Sequence, residues 1–246
     1  MDNRIEFRRI LVRKTYLYET HMHTREGSAC ATATGQEMVR AHIKAGYAGM
    51  IVTDHFFNGN TAIPKDLPWD VRVDLFCRGY EHALEEAKGT DLHVFFAWEY
   101  TYHGTDFLTY GLDKDFLLKH PDILEWSPEE YFDIVHENGG FIVHAHPFRE
   151  AFYIDKIRLF PEYIDAVEVI NASHLDPIFD ERALSFAQEN SLLQTAGSDL
   201  HHWQDICGAG MAFEYEIKSM EDFIKSVKGE DYTLVKGFNE RINSEQ

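Results

Sequence analysis

The sequence predicts an α/β chain folded as one TIM-like barrel. Eight short apolar runs alternate with segments that open like helices. The length of 246 residues suits a barrel of roughly 250. With 44% hydrophobic and 26% charged residues, the composition is that of an ordinary globular domain rather than a disordered or fibrous chain. A β-α-β-α succession implies a mostly parallel sheet with right-handed crossovers. Residues 1–246 are read as a single domain, with 1–15 an N-terminal arm or edge segment.

The expected strands are Tyr16–His23, Gly49–His55, Leu92–Thr101, Thr105–Leu112, Gly140–His146, Asp165–Asn171, Leu192–Asp199 and Gly210–Glu216. Thr34 with Glu37 three residues on forms a capping box ahead of the first helix. Asp70–Lys88 reads as the second helix. Ser127-Pro128-Glu129-Glu130 combines a capping serine, proline at the first helical position and a reciprocal glutamate. That helix ends at Asn138-Gly139-Gly140, where glycine supplies a left-handed terminus. Pro177–Asn190 follows, and Ser219 with Asp222 opens a last helix, Glu221–Lys228, stopped by Gly229.

Charge and cysteine usage narrow the function classes. The formal net charge is −19, which repels a phosphate backbone and argues against long nucleic acid as a partner. Arg4, Arg8, Arg9, Arg13 and Lys14 stand against Asp2 and Glu6 and read as a solvated or subunit-contacting arm. No apolar run reaches the ~20 residues of a membrane span, and the first residues form no secretory signal. Cys30, Cys77 and Cys207 are odd in number and lack a CxxC pair, so neither a disulfide scaffold nor a thiolate zinc site is expected, and a cytoplasmic setting is.

Chemistry-bearing residues gather where the strands are expected to end, the position at which barrels build their sites. His21 and His23 end the first strand as His-x-His, two imidazoles on one face of a strand. Asp54-His55 ends the second, Glu99 lies late in the third and Asp106 opens the fourth. His144 and His146 share a face at the end of the fifth, and Asp199-Leu200-His201 follows Gly197-Ser198. Singly, each has a bland reading: a hydrogen-bonded histidine, a turn-capping Asp54, a loop Asp106. Together their carboxylates would repel unless protonated, paired or ligated, and shared divalent cations satisfy them all.

These motifs resemble those of the PHP (polymerase and histidinol phosphatase) family. The resemblance rests on His21-Met22-His23-Thr24, Thr53-Asp54-His55, Glu99, Ala145-His146-Pro147 and Gly197-Ser198-Asp199-Leu200-His201, spanning about residues 16 to 212. It implies a distorted (β/α)7 barrel with two or three divalent ions (Zn, Mn or Fe) and phosphoesterase activity. By the same resemblance His21, His23, Glu99 and Asp199 hold the first metal, Glu99 bridges to a second with His146, and His55 and His201 belong to a third. In the stretch Asp106-Phe107-Leu108-Thr109-Tyr110-Gly111, Asp106 stands where the family often has histidine, giving an oxygen-richer second site. The usual third-site donor aligns with about Ala29, and Glu26 is the nearby substitute.

The expected activity is hydrolysis of a small phosphorylated metabolite or nucleotide through a metal-activated hydroxide, with short oligonucleotides left open. Asp199 or His201 orients the hydroxide. Arg149, and less strongly Arg25, are candidates to grip phosphate oxygens. His144 is read as a hydrogen-bonding support for the ligands before a ligand itself. Glu19 is expected to form a buried pair rather than to ligate, and His174 to line the mouth. Phe56, Phe57 and Trp69 are read as packing. The alternatives are an amidohydrolase-like C–N hydrolase on the same metals, disfavoured by the absence of a strand-end lysine, and a non-catalytic metal-binding module.

Overall fold

A computed structural model describes residues 14–238. The arginines of the N-terminal arm, Arg4, Arg8, Arg9 and Arg13, lie outside the described residues. The elements in chain order are β1 (Tyr16–Met22), α1 (Gly35–Ala45), β2 (Gly49–Val52), α2 (Trp69–Phe76), α3 (Arg78–Glu86), β3 (His93–Tyr102), β4 (Thr105–Tyr110), α4 (Lys114–Lys119), α5 (Pro128–Glu137), β5 (Phe141–Ala145), β6 (Ala166–Asn171), α6 (Ile178–Glu189), β7 (Leu193–Gly197), β8 (Gly210–Phe213), α7 (Met220–Lys228) and β9 (Thr233–Val235).

The strands form one sheet in the order β7-β6-β5-β4-β3-β2-β1-β8-β9. Its first seven members curl until the chain after β7 meets β1. There the Leu200 N–H donates to the His21 carbonyl at 3.1 Å, the His23 N–H donates to the Leu200 carbonyl at 2.8 Å, and Thr20 Oγ1 donates to the Ala196 carbonyl at 2.7 Å. The result is a nearly closed seven-stranded barrel, with β8 and β9 added antiparallel outside β1. Tyr18, Ile51, Phe95, Leu108, Phe141 and Val143 pack its interior. Alternating residues of the same strands, such as Trp98, Tyr100, Phe107 and Val167, pack outward with Phe132, Phe186 and other helix residues.

The expectation of a mostly parallel sheet needs correction. The pairs β1–β2, β2–β3, β5–β6 and β6–β7 are parallel, but β3–β4, β4–β5, β1–β8 and β8–β9 are antiparallel. Only His103 and Gly104 separate β3 from β4, both at positive φ (50° and 76°). That is the twist of a tight hairpin, with no room for the dozen residues a parallel crossover needs. Strand β4 therefore runs backwards, and its first residues share an end with the last residues of β3 and β5.

The helix expected over Asp70–Lys88 is two helices. Cys77 takes a flatter turn (φ −74°, ψ −9°) between α2 and α3. Both capping boxes form as read, at Thr34/Glu37 and Ser127/Glu130, and Gly46 closes α1 at φ 81°. The sequence reading did not include α4 or β9. Among the described residues no helix is long and apolar enough to cross a membrane.

Gly79 in α3 lets that helix lie directly on the loop after β1. A Cβ there would stand 2.0 Å from Thr24 Oγ1 and 3.0 Å from Asp54 Oδ2. Gly79→Ala is expected to cost about 1–3 kcal/mol of folding stability through overpacking, measured by urea denaturation.

Candidate metal centre

The barrel mouth is assembled from strand ends. His21 and His23 close β1, whose register against β2 shifts between Glu19 and Met22, and both are fully buried. His55 lies just beyond β2, tied to Glu99 by an isolated parallel bridge. Glu99 follows Phe95 and Ala97 on the inward face of β3. The reversed β4 brings Asp106 opposite Thr101 and Ala145, so an opening residue reaches the same mouth as the closing ones.

His146 and Asp199 sit just past β5 and β7 in the left-handed backbone region, at φ 30° and 52°. Such backbone costs on the order of 1–3 kcal/mol for a non-glycine residue and re-aims the side chain. The case of His144 shows the effect. Plain alternation would send both histidines of β5 to one face, yet His144 points outward, its ring 4.7 Å from that of Phe107, while His146 turns inward. The expected supporting role of His144 is thereby corrected: it packs between Phe107 and Phe186.

The inward groups converge on Glu99. Its Oε1 lies 3.2 Å from both His21 Nε2 and His146 Nε2, and its Oε2 lies 2.5 Å from His55 Nδ1 and 3.7 Å from His23 Nε2. Asp199 Oδ1 is 3.1 Å from His23 Nε2, 3.5 Å from His21 Nε2 and 3.6 Å from His201 Nδ1. Asp106 Oδ2 is 4.0 Å from His146 Nε2. Four overlapping triads have ligand atoms within 4.8 Å of one another: His21/His23/Glu99, His21/His146/Asp199, Glu99/Asp106/His146 and His23/His55/His201.

Supporting hydrogen bonds fix which ring nitrogen faces the centre. His21 Nδ1 donates to Glu168 at 2.9 Å. Ser28 gives its hydroxyl proton to Asp54 and so accepts from His23 Nδ1 at 3.2 Å. His201 Nδ1 donates to the Asp199 carbonyl at 2.8 Å. All three rings turn Nε2 toward the centre, the nitrogen through which a cation would bind once it carries no proton. His21 Nε2, Glu99 Oε2 and His55 Nδ1 are buried and make no well-aligned hydrogen bond, facing one another only as ion pairs. Buried polar atoms rarely stay unpaired, and nitrogen and carboxylate donors at this spacing fit one or more divalent cations.

The electrostatics show what is being balanced. Burial opposes the ionised form of Glu99, but His55 and His21 outweigh it and hold the carboxyl well below its usual range. Burial likewise opposes the charge on Asp199, which Arg149 and His21 overcome. Burial, together with the charge of Glu99, raises the pKa of Asp106. On His21 burial works against protonation, yet Glu168, Asp199 and Glu99 raise its pKa well above the ordinary value. Burial and the neighbouring His55 and His201 lower that of His23.

Of the remaining candidates, Asp54 touches no ligand nitrogen. It accepts from Thr24 N–H and Thr24 Oγ1, each at 2.6 Å, and so holds the loop after β1. Glu19 accepts from the backbone of Thr20, His21 and Ser198. Glu26 turns away to His82 and the Gly35 N–H, and Arg25 is exposed outside both clefts at the mouth, so neither joins the cluster. Arg149 reaches Asp199 Oδ2 at 2.7 Å, and its Nε and Nη2 donate to His174 and Ser173. His174 thus braces Arg149, itself held by Asp180. Phe56 and Phe57 are core residues. The sequence reading missed Glu168, which grips His21, the His146 N–H and Asn171. Its signal was a lone carboxylate inside the apolar run Ala166-Val167-Glu168-Val169-Ile170.

A cleft of about 610 Å³ opens over the cluster, lined by His55, Asp106, His146, Arg149, Tyr153 and His201 among others. A second of about 740 Å³ lies beyond Asp199 and His201, toward Ser173, Leu175 and Phe238.

Comparison with known proteins agrees with this architecture. Residues 177–231, which include Asp199 and His201, match a family model described as PHP-associated. No curated protein matches the chain. The fold is similar to that of a two-domain protein from Bacteroides vulgatus described as containing a predicted PHP-like metal-dependent phosphoesterase (TM-score 0.69, 14% identity, covering 94% of this chain and 68% of that one). It is also similar to an amidohydrolase from Chromobacterium violaceum solved with sulfate and no metal (TM-score 0.56, 13% identity, 88% and 97% covered). At these identities the likeness is one of fold. The chain is PHP-like in its barrel and in its 177–231 segment.

Two predictions follow from the supporting groups. Glu168→Gln is expected to weaken cation binding roughly 10–100-fold, read by competition with a chelator. His144 has both ring nitrogens buried and unpartnered, and burial, with His146 nearby, pushes its pKa down to about 3. The unfolded chain takes up that proton near 6.5, so stability is complete above pH 6.5 and is lost as pH falls toward 3. His144→Leu should flatten that decline and add about 1 kcal/mol at neutral pH, with bound-metal content unchanged.

Proposed function

We propose that the chain is a metal-dependent phosphoesterase acting on a small phosphorylated metabolite or nucleotide, with the reducing cytoplasm as its setting. The observation that carries this reading is Glu99, a buried carboxylate whose two oxygens face different imidazole groups, one toward His21 and His146 and the other toward His55 and His23. That arrangement suits a bridge between adjacent cations. His21, His23 and Asp199 would hold one cation with Glu99, His146 and Asp106 a second, and His55 and His201 a third. Bound there, Zn, Mn or Fe would supply Lewis acidity, screening the substrate's negative charge and making water acidic enough to attack near neutral pH.

The chain's own residues do the rest. Among the described residues, Arg149 is the Lys or Arg side chain that contacts the cluster. Nε, one N–H of Nη1 and one of Nη2 are committed to His174, Asp199 and Ser173. Among the described residues two of its five N–H groups are then left, enough to fork onto two non-bridging phosphate oxygens. Asp199 faces the cluster through Oδ1 and Arg149 through Oδ2, so it can orient an attacking water while holding the anion-binding group in place. His201, fixed at Nδ1 by the Asp199 carbonyl, keeps Nε2 at the mouth, where it would ligate the third cation or, with that position empty, hold or pass a proton. Exposed Tyr153, Leu175 and Phe238 line the clefts and offer apolar surface to the body of the substrate.

The amidohydrolase-like fold keeps C–N hydrolysis as the second reading, but a guanidinium at the mouth favours an anionic substrate. After chelation, Mn²⁺, Zn²⁺ or Fe²⁺ should restore phosphate release from p-nitrophenyl phosphate or a panel of phosphate esters. Arg149→Lys should raise KM roughly tenfold, the worth of a charge-assisted hydrogen bond of about 1.5 kcal/mol. Silence with every metal across the panel would overturn the reading.

A further inference from the structure

Among the described residues three acceptors hold Arg149, and only one of them is charged. Nη1 pairs with Asp199 Oδ2 at 2.7 Å, Nη2 donates to Ser173 Oγ at 2.8 Å, and Nε donates to His174 Nε2 at 3.3 Å. A guanidinium is always a donor, so His174 Nε2 carries no proton. The ring proton therefore sits on Nδ1, which donates to Asp180 Oδ1 at 2.8 Å, and the imidazole is neutral. Ser173 is fixed in the same way: its hydroxyl proton goes to Asn171 Oδ1 at 2.6 Å, which leaves a lone pair for Arg149. Both braces come from one turn at the end of β6, closed by the His174 N–H on the Asn171 carbonyl at 3.1 Å. Behind that turn Asp180, in the first turn of α6, also accepts from the Asn171 N–H at 3.2 Å and from Lys236 Nζ at 3.1 Å. The side chains of His174 and Asp180 are only 5% and 10% exposed, so water does not compete for these bonds.

A carboxylate at the position of His174 would hold the guanidinium equally well. With Asp199, however, it would set two negative charges on one positive group and turn a net negative face to an incoming anion. The chain instead keeps Asp180 one imidazole away from Arg149 and places Lys236 on its far oxygen. We propose that His174 is the positioning residue of the anion site: fixed in one tautomer by Asp180, it aims the Arg149 fork at the mouth without cancelling its charge. It acts on the anion only through Arg149. The inference rests on the phosphoesterase reading and adds to it the group that keeps the phosphate-gripping arginine both oriented and cationic.

The test uses the full chain loaded with Zn²⁺, with inorganic phosphate as the probe and calorimetry as the readout. His174→Leu should weaken phosphate binding roughly tenfold, the factor carried by one hydrogen bond to a charged group. His174→Gln, which keeps an acceptor for Arg149 and a donor for Asp180, should restore it. His174→Glu should weaken binding at least as much as His174→Leu, because it holds the guanidinium but cancels its charge. Bound Zn²⁺ should stay unchanged in all three, and with a phosphate ester the loss should fall on KM and not on kcat. Nitrogen NMR of the unmutated protein at neutral pH should show the His174 ring protonated at Nδ1 and bare at Nε2, an outcome that does not depend on a variant folding. Equal phosphate affinity in His174→Leu, loss of Zn²⁺ in step with phosphate, tighter binding by His174→Glu than by His174→Leu, or a proton on His174 Nε2 would overturn the proposal and leave the phosphoesterase reading standing. If the loaded, unmutated protein neither binds phosphate nor hydrolyses any ester of the panel, both fall.

Discussion

The structure turns on the carboxylate of Glu99, fully buried at the top of the barrel. An ion placed there loses its hydration, a penalty of several kcal/mol after relaxation, and Asp106, Asp199 and Glu168 are buried close by. Like charges at this density cannot remain ionised without compensation. The chain answers with five imidazoles and Arg149 around the group, and the surviving unpaired atoms mark where compensation from the protein stops. Position after position at the mouth serves that balance. The β3–β4 hairpin delivers Asp106, and the joint between β1 and the chain after β7 brings His21 beside Asp199.

Strain at the mouth is held by two further buried acids. The Glu168 carboxylate accepts the N–H of His146, and Glu19 accepts the N–H of Ser198, the residue before Asp199. Each therefore pins one of the two left-handed turns that aim a ligand inward. Gly197 completes the arrangement: a Cβ there would stand 2.6 Å from His21 Cβ and 2.7 Å from Glu168 Oε1. The rigidity of the centre thus comes from carboxylates one layer behind it.

This layering explains which parts of the site could be read from sequence. His21, His23, Glu99 and Asp199 were legible because strand ends are marked by local pattern and barrels place their chemistry there. Asp106 was legible as a residue but not as a consequence of topology, since the sheet was expected to run mostly parallel. The short His103-Gly104 connection held the missing information. His144 and His146 mislead because period-two alternation fails at a positive φ that no local rule assigns to histidine. Arg25 and Glu26 share one loop, and its path, set by the bonds of Asp54 to Thr24 and Ser28, turns both away from the centre. That is a tertiary outcome, invisible to spacing.

On the proposed phosphoesterase reading, the same geometry bears on how an acidic protein would accept an anion. The formal charge of −19 opposes approach of a phosphate, and the field at the mouth has to be reversed locally. Asp199 divides its two oxygens between the cluster and Arg149, so a cation at the cluster need not displace the guanidinium. Both charges can then act on one substrate from opposite sides of a single carboxylate. Long polyanions gain little from so small a positive region within a negative surface, whereas a compact phosphate ester can lie wholly inside it. On the proposed phosphoesterase reading, the size of the substrate would thus be limited by electrostatics before the cleft walls are considered.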